Sequence, residues 1–294
     1  MITFLFALST IIQLATAHTG SAPLEVNAIA FNIRYGTASD GPHAWPHRQA
    51  AVLAYIAESE ADFIGLQEVL AFQMHQISEA THETYDVIVR SREAKDGVGE
   101  ATPILYKKDR WLLDPEKTGT FWLSETPSAP GSKSWESSLP RIVTWGRFIE
   151  RESGEEVWVF NTHFDHRSGE ARLESGKLIA QRIGDIVPQG SPVVVLGDLN
   201  SRENSAALKE LKSGGGKNPV VLVDSWRVVH PDETSASTFN SWGEGLKGKK
   251  IDYVLVPKGT KVLSAQINRK RIEGRPISDH WPVEARVVFE AKKE

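Results

Sequence analysis

Cysteine is absent from the 294 residues. That excludes disulfides, thiolate nucleophiles and zinc–thiolate sites, so any metal has to be held by Asp, Glu, Asn or His. An excess of positive charge is also missing. Thirty-four Lys and Arg face 38 Asp and Glu, for a net charge of −4. That balance argues against broad electrostatic capture of nucleic acid, although it leaves room for a local basic patch. There is no repeat or low-complexity tract, and no serine-centred elbow of the acyl-transfer kind.

The opening segment, MITFLFALSTIIQLATA, has no charged side chain. Its apolar run is too short for a comfortable membrane span and closes on Ala15-Thr16-Ala17, a small-x-small cleavage pattern. A signal peptide cut after Ala17 is therefore expected, with export to the periplasm or the outside. One feature departs from that pattern. No Lys or Arg precedes the apolar run, so only the α-amino group supplies positive charge. Residues 18–294 show no compositional boundary and are expected to form a single domain.

What is present is hydrophobic periodicity of both kinds. Strands are predicted at 25–33, 62–69, 85–90, 102–106, 142–150, 156–162, 192–197, 250–256, 261–267 and 281–289. Helices are predicted at 47–59, 72–80, 202–213 and from about Glu170 to Val187, the last with Leu178, Ile179, Ile183 and Ile186 turned inward. The glycine-rich KSGGGKNP at 212–219 lacks the strand–loop–helix setting of a phosphate loop and reads as a surface loop. Residues 121–140 form a long Pro/Ser/Trp segment without periodicity.

The stretch VVVLGDLNSR at 193–202 drives four apolar residues into Gly197 and then presents Asp198 and Asn200. By itself it is an ordinary turn. The same event recurs, however, along the chain. Apolar strands lead to Asn32, to Glu68, and to Asn161, His163, Asp165 and His166. Another strand opens with Asp252, and Asp279 and His280 precede the last. Six strand-end clusters of Asp, Asn, Glu and His point to one site at a sheet edge. Glu68, with Asn32, Asp198 and Asp279, makes an all-oxygen set for a hard divalent cation. His163 and His280 can handle protons or phosphoryl oxygens, and Asp252 is a natural partner for His280. Together these residues fit metal-assisted attack of water on a phosphoester.

The ordered set FNIRYG, GLQEV, NTHFDHRS, GDLNS, IDYVLV and SDHWPV resembles the endonuclease/exonuclease/phosphatase superfamily, of deoxyribonuclease I-like fold. It is most similar to bacterial exported members near the deadenylase and nocturnin-like branch. The resemblance runs from about residue 25 to 290. It implies a four-layer α/β sandwich, two packed and mostly antiparallel sheets flanked by helices, and a requirement for Mg²⁺ or Mn²⁺. Carried over by position, it makes Glu68 the main metal ligand with Asn32 close by, and Asp279 the last metal-proximal carboxylate. Asp198 orients or deprotonates the attacking water. Asn200 holds the phosphate, and His163 contacts it and serves as general acid. His280 stabilises the developing charge, and Asp252 orients His280. Gly197 is expected to let the backbone turn at the site, with Asp198 and Asn200 on one face of an extended segment. Arg34 stands where apurinic endonucleases carry a carboxylate, and the His163 segment stands where they carry a phosphate-binding tyrosine. Repair-type DNA specificity is therefore not expected.

Several residues stay open between two readings. Arg141 clamps a substrate phosphate or forms a surface ion pair. His166, with Asp165, contacts substrate or belongs to a structural cluster. Arg172 reaches the site or pairs with a nearby acid. Trp122 and Trp135 stack on a base or sugar or lie in the core, and Trp145 reads as core. The charge run NRKRIEGR at 268–275 steers anions or is a solvated loop. The expected partner is a phosphorylated small molecule or a short nucleic acid, hydrolysed by a monomer whose mature chain does not insert stably into a membrane. The alternatives are a non-catalytic binding module on the same fold, a nuclease acting on DNA or RNA, and a tryptophan-rich carbohydrate binder.

Overall fold

A computed structural model of the chain describes residues 23–243 and 248–290. The expected signal segment, 1–17, lies outside the described residues. The chain runs through β1 (Leu24–Asn32), α1 (Trp45–Glu58), β2 (Phe63–Gln67), α2 (Ala71–Thr81), β3 (Tyr85–Ile88), β4 (Ile104–Lys107), β5 (Trp111–Trp122) and β6 (Ile142–Glu150). It continues through β7 (Glu156–His163), α3 (Gly169–Ile186), β8 (Val193–Asp198), α4 (Ala206–Ser213), β9 (Leu222–Asp224) and α5 (Ser225–Val229). After β10 (Asp252–Pro257) and β11 (Lys261–Ile267), a short hairpin of β12 (Arg271–Ile272) and β13 (Arg275–Pro276) leads to β14 (Val283–Phe289).

These elements make a four-layer α/β sandwich. One six-stranded sheet has the order β11-β14-β1-β2-β4-β3 and the other β5-β6-β7-β8-β10-β9. The inner faces meet in a core that includes Val26, Phe63, Trp111, Phe148, Val159, Leu196 and Trp281. Burying each large apolar side chain there contributes about 1.5–3 kcal/mol. Helices α1 and α2 cover the outer face of the first sheet through Val52, Tyr55, Ile56, Met74 and Ile77. Helices α3 and α4 cover the second through Ile179, Ile183, Leu208 and Leu211.

Local chemistry explains the boundaries. Pro46 opens α1, where its missing N–H costs nothing. Ser168 caps α3 by accepting from the Ala171 N–H. Ile179 and Ile183 of α3 face inward as expected, while Leu178 and Ile186 pack more loosely at the flanks. Gly176 brings α4 close, since a Cβ there would lie 2.4 Å from the Ala207 carbonyl oxygen. Strand β5 falls in none of the expected strands. Its register shifts between Leu113 and Thr118, and this interruption spoils the alternation that a strand shows in sequence. The run at 268–275 folds into the β12–β13 hairpin, with the Arg271 guanidinium 5.4 Å over the Trp281 ring. None of the helices is long and apolar enough to cross a membrane among the described residues.

The topology itself builds an active edge. Each sheet is antiparallel except for one parallel pair, β1–β2 and β7–β8. Those four strands therefore end on the same side. The register sets His163 opposite Asp198, and β10 runs back from Asp252, paired with Asp198. The 278–280 segment reaches the same edge just before β14 pairs with β1.

Candidate active site

Asn32, at the end of β1, holds the centre together. Its amide donates to Glu68 Oε1 and to Asp198 Oδ2, both at 3.0 Å. Its side-chain oxygen accepts the Arg34 N–H at 2.9 Å. Glu68 also accepts the Tyr35 N–H at 3.0 Å. The loops after β1 and β2 are thus tied through these two side chains. Arg34, Glu68 and Asn200 have positive φ angles of 60°, 62° and 44°. For side chains other than glycine this region is sparsely populated, and such strain concentrates at functional sites.

Gly197 does not make the expected turn. It lies inside β8, paired with Thr162, and a Cβ would come within 2.4 Å of the Thr162 carbonyl oxygen. Close approach of β7 and β8 is what demands glycine. Nor does an extended backbone align Asp198 with Asn200. Asn200 turns left-handed, and its N–H donates to Asp198 Oδ1 at 2.9 Å. This local turn, rather than a period of two, brings both side chains to the site.

Around Asp198 stand two histidines in different electrostatic states. His280 Nδ1 lies 2.9 and 3.1 Å from the two carboxylate oxygens of Asp252, and His280 Nε2 lies 3.8 Å from Asp198 Oδ2. Burial opposes the charge of His280. Asp252 and Asp198 outweigh it and raise the imidazole well above its ordinary value. His163 Nε2 is 3.0 Å from the Asn200 amide nitrogen and 3.4 Å from Asp198 Oδ2. Burial, reinforced by Arg141 and Arg92, holds His163 well below its ordinary value, so it is neutral. Asp198 itself is pushed up to about 7 by burial and by the neighbouring charge of Asp252. Burial and Glu68 likewise raise the Asp279 carboxyl.

Burial is the main cause of both shifts, and the acids Asp252 and Glu68 add to it. A hard cation fits such a donor set. Glu68, Asn32 and Asp279 can hold one, with Asp198 beside it. Asp198, Asp252 and His280 also offer ligand atoms within 4.8 Å of one another. However, Asp252 is engaged with His280 Nδ1. We read that trio as a charge-stabilised histidine rather than as the cation site.

The site opens into a cavity of about 900 Å³. Glu68, His163, Asp198, Asn200, Asp279 and His280 line it, as do Arg141, His166 and Arg172. The structure therefore gathers nearly all the sequence-predicted residues around one cavity. Asn32 and Asp252 touch it through their partners. Asn161 is placed elsewhere. It bridges the sheets, accepting from Gln67 Nε2 and donating to the Leu66 and Pro103 carbonyls, each at 2.8 Å. Asp165 is a structural hub that accepts from Ser138, Arg167 and Ser168. Trp122, Trp135 and Trp145 do not line the cavity, whereas Trp242 and Phe239 do.

Other supporting residues act through contacts that the sequence does not show. Arg48, buried on α1, donates to the His43, Ile33, Arg34 and Ile277 carbonyls. It thereby clamps the first motif to the last. Asn240 donates to the Ser278 carbonyl at 3.0 Å, and its own N–H donates to the Asp279 carbonyl at 2.8 Å. Ser278 Oγ donates to the Asn32 carbonyl at 2.7 Å. A basic or amide residue in a helix or loop carries no local signal of such long-range contacts.

Comparison with known proteins agrees with this geometry. Residues 29–280 match the Endonuclease/Exonuclease/phosphatase family. An endonuclease/exonuclease/phosphatase from Bacteroides vulgatus is 32% identical, with a TM-score of 0.80 over 91% of this chain and 100% of its own. A mannosyl-6-phosphatase from Bacteroides thetaiotaomicron is 28% identical, with a TM-score of 0.78 over 90% of this chain and 100% of its own. An uncharacterised protein of Acanthamoeba polyphaga mimivirus is 26% identical over 165 residues, 54% of this chain. That match spans 60% of the viral protein's length.

Proposed function

The chain belongs to the endonuclease/exonuclease/phosphatase family, and on that premise we propose that it is a divalent-metal-dependent phosphoesterase acting on a small phosphorylated metabolite. The observation that carries the reading is the Asn32 amide joining Glu68 to Asp198 at 3.0 Å each. It couples an all-oxygen cation set to a carboxylate poised as a base. Glu68, Asn32 and Asp279 would hold Mg²⁺ or Mn²⁺, which would supply Lewis-acid polarisation of a phosphoryl oxygen.

The protein's own groups do the rest. Asp198, whose carboxyl burial and Asp252 raise to about 7, accepts the proton of the attacking water. The His280 imidazolium, held charged by Asp252, offers Nε2–H to the phosphoryl group as negative charge develops. Asn200, whose amide nitrogen faces His163 Nε2 and donates to the Phe164 carbonyl, turns one N–H from His163 to a phosphoryl oxygen when substrate binds. His163 is neutral in the free site, so we assign it to hydrogen-bonding the phosphate rather than to storing a proton for the leaving group. No covalent enzyme intermediate is needed.

A compact cavity of about 900 Å³, the acidic balance and the likeness to a mannosyl-6-phosphatase support a small substrate such as a sugar phosphate. A nuclease acting on short nucleic acid is the alternative. The test is release of product from a panel of sugar phosphates and short oligonucleotides with Mg²⁺, Mn²⁺ or EDTA. Sugar phosphates are expected to be hydrolysed and EDTA to stop it, whereas turnover of oligonucleotides alone would move the reading to a nuclease. Export after Ala17 belongs to the same proposal and is tested by N-terminal sequencing of the mature protein.

A further inference from the structure

The cavity is polarised. Its acidic centre is Glu68, Asp198 and Asp279, and beyond His163 the wall carries Arg141 and Arg172 beside His166 and Glu100. Arg141 is only 4% exposed. Its Nη2 lies 3.0 Å from His166 Nδ1. Its Nε and Nη1 are buried and have no hydrogen-bond partner among the described residues. The acid in closest reach is Asp165, whose Oδ2 is 3.8 Å from Nε. That carboxylate already accepts from Ser137, Ser138, Arg167 and Ser168. Glu100, the other nearby acid, is paired with Arg92 at 2.6 Å. The guanidinium therefore has no carboxylate within hydrogen-bond distance, its nearest being Asp165 at 3.8 Å, and an anionic group entering the cavity that Arg141 lines would add the missing counter-charge.

We infer that Arg141 reads the second negative charge of the scissile group, so that the substrate is a terminal phosphomonoester rather than a diester. This rests on the proposed phosphoesterase activity. A monoester is largely dianionic above a second ionisation near pH 6, whereas a diester carries one charge and a second substituent. Arg172, anchored by donating to the Asp165 carbonyl at 2.9 Å, and the loop residues Ser138 and Leu139 border the same end. In the step that follows, water oxygen forms a new bond to phosphorus and the ester P–O bond breaks. Asp198 takes one proton of that water, the departing alkoxide takes up a proton from solvent, and Asp198 returns its own to solvent, so that one alcohol and one inorganic phosphate result.

The test compares the two anions without requiring turnover. Inorganic phosphate and dimethyl phosphate are titrated calorimetrically into the Mg²⁺-loaded protein at slightly alkaline pH. Wild type, Arg141→Gln and Arg141→Lys are compared, with melting curves reporting folding. Wild type is expected to bind inorganic phosphate at least about tenfold more tightly than dimethyl phosphate. Arg141→Gln is expected to weaken phosphate about 10- to 100-fold and dimethyl phosphate by less than about threefold, with Arg141→Lys between. Equal binding of the two anions by wild type, no binding of either, or parallel weakening of both by Arg141→Gln in folded protein would overturn the inference. Failure of the broader reading is seen separately, as absence of EDTA-sensitive hydrolysis of both p-nitrophenyl phosphate and bis(p-nitrophenyl) phosphate.

Discussion

Both carboxylate oxygens of Asp252 face the same nitrogen of His280, at 2.9 and 3.1 Å from Nδ1. The imidazole is thereby fixed in orientation, with its other nitrogen turned towards Asp198. Asp252→Asn keeps the shape and removes the charge. It is expected to lower kcat about 100-fold and to move the alkaline limb of the pH–rate profile to lower pH. A profile whose alkaline limb does not move would show that His280 does not act as an imidazolium.

His280 also makes stability depend on pH. Its folded value is raised, so its contribution is complete below about pH 6.5 and is lost as pH rises through the folded value. Asp198 works in the same direction. Its carboxyl is raised to about 7, so its contribution is complete below about pH 3.9 and fades as pH climbs through the folded value. A bound cation offsets the charge exposed by that ionisation. The melting-temperature gain from Mg²⁺ is therefore expected to grow between mildly acidic and alkaline pH, and Asp198→Asn to flatten the trend. Calorimetric melts at several pH values check it.

Arg48 clamps four backbone carbonyls from two distant segments. Arg48→Met leaves them without their donor and is expected to cost about 3 kcal/mol in chemical denaturation. Activity is expected to fall as well, because the loops that carry Asn32 and Asp279 lose their mutual register. Full activity in a destabilised Arg48→Met protein would confine Arg48 to folding.

Asn161 gives the contrast. Its amide links the two sheets well inside the sandwich. Asn161→Leu is expected to cost about 2–3 kcal/mol while leaving KM within about twofold. A large change in KM would reconnect it to the cavity.

The sequence carried the site further than its local geometry. Asn32, Glu68, His163, Asp198, Asp252, Asp279 and His280 each end or precede an apolar run, and apolar runs are visible without a structure. The parallel β1–β2 and β7–β8 pairs then bring those ends together. What stayed hidden depends on contacts between distant segments. Asn161 reads like its site neighbours because strand position does not say which face a polar side chain meets. Gly197 reads as a turn because close packing against Thr162 is not encoded nearby. Strand β5 was lost to its own bulge, and Arg48 and Asn240 support the site through carbonyls of the distant 277–279 segment.

The most direct measurement is hydrolysis of p-nitrophenyl phosphate by wild type, Glu68→Gln, Asp198→Ala and His280→Ala, with Mg²⁺ or with EDTA, alongside Mg²⁺ titration calorimetry. The account predicts turnover that EDTA stops, a loss of at least about 1,000-fold in each variant, and weakened Mg²⁺ binding in Glu68→Gln. Turnover that survives EDTA or the Asp198→Ala change, or Mg²⁺ binding indifferent to Glu68, would contradict it.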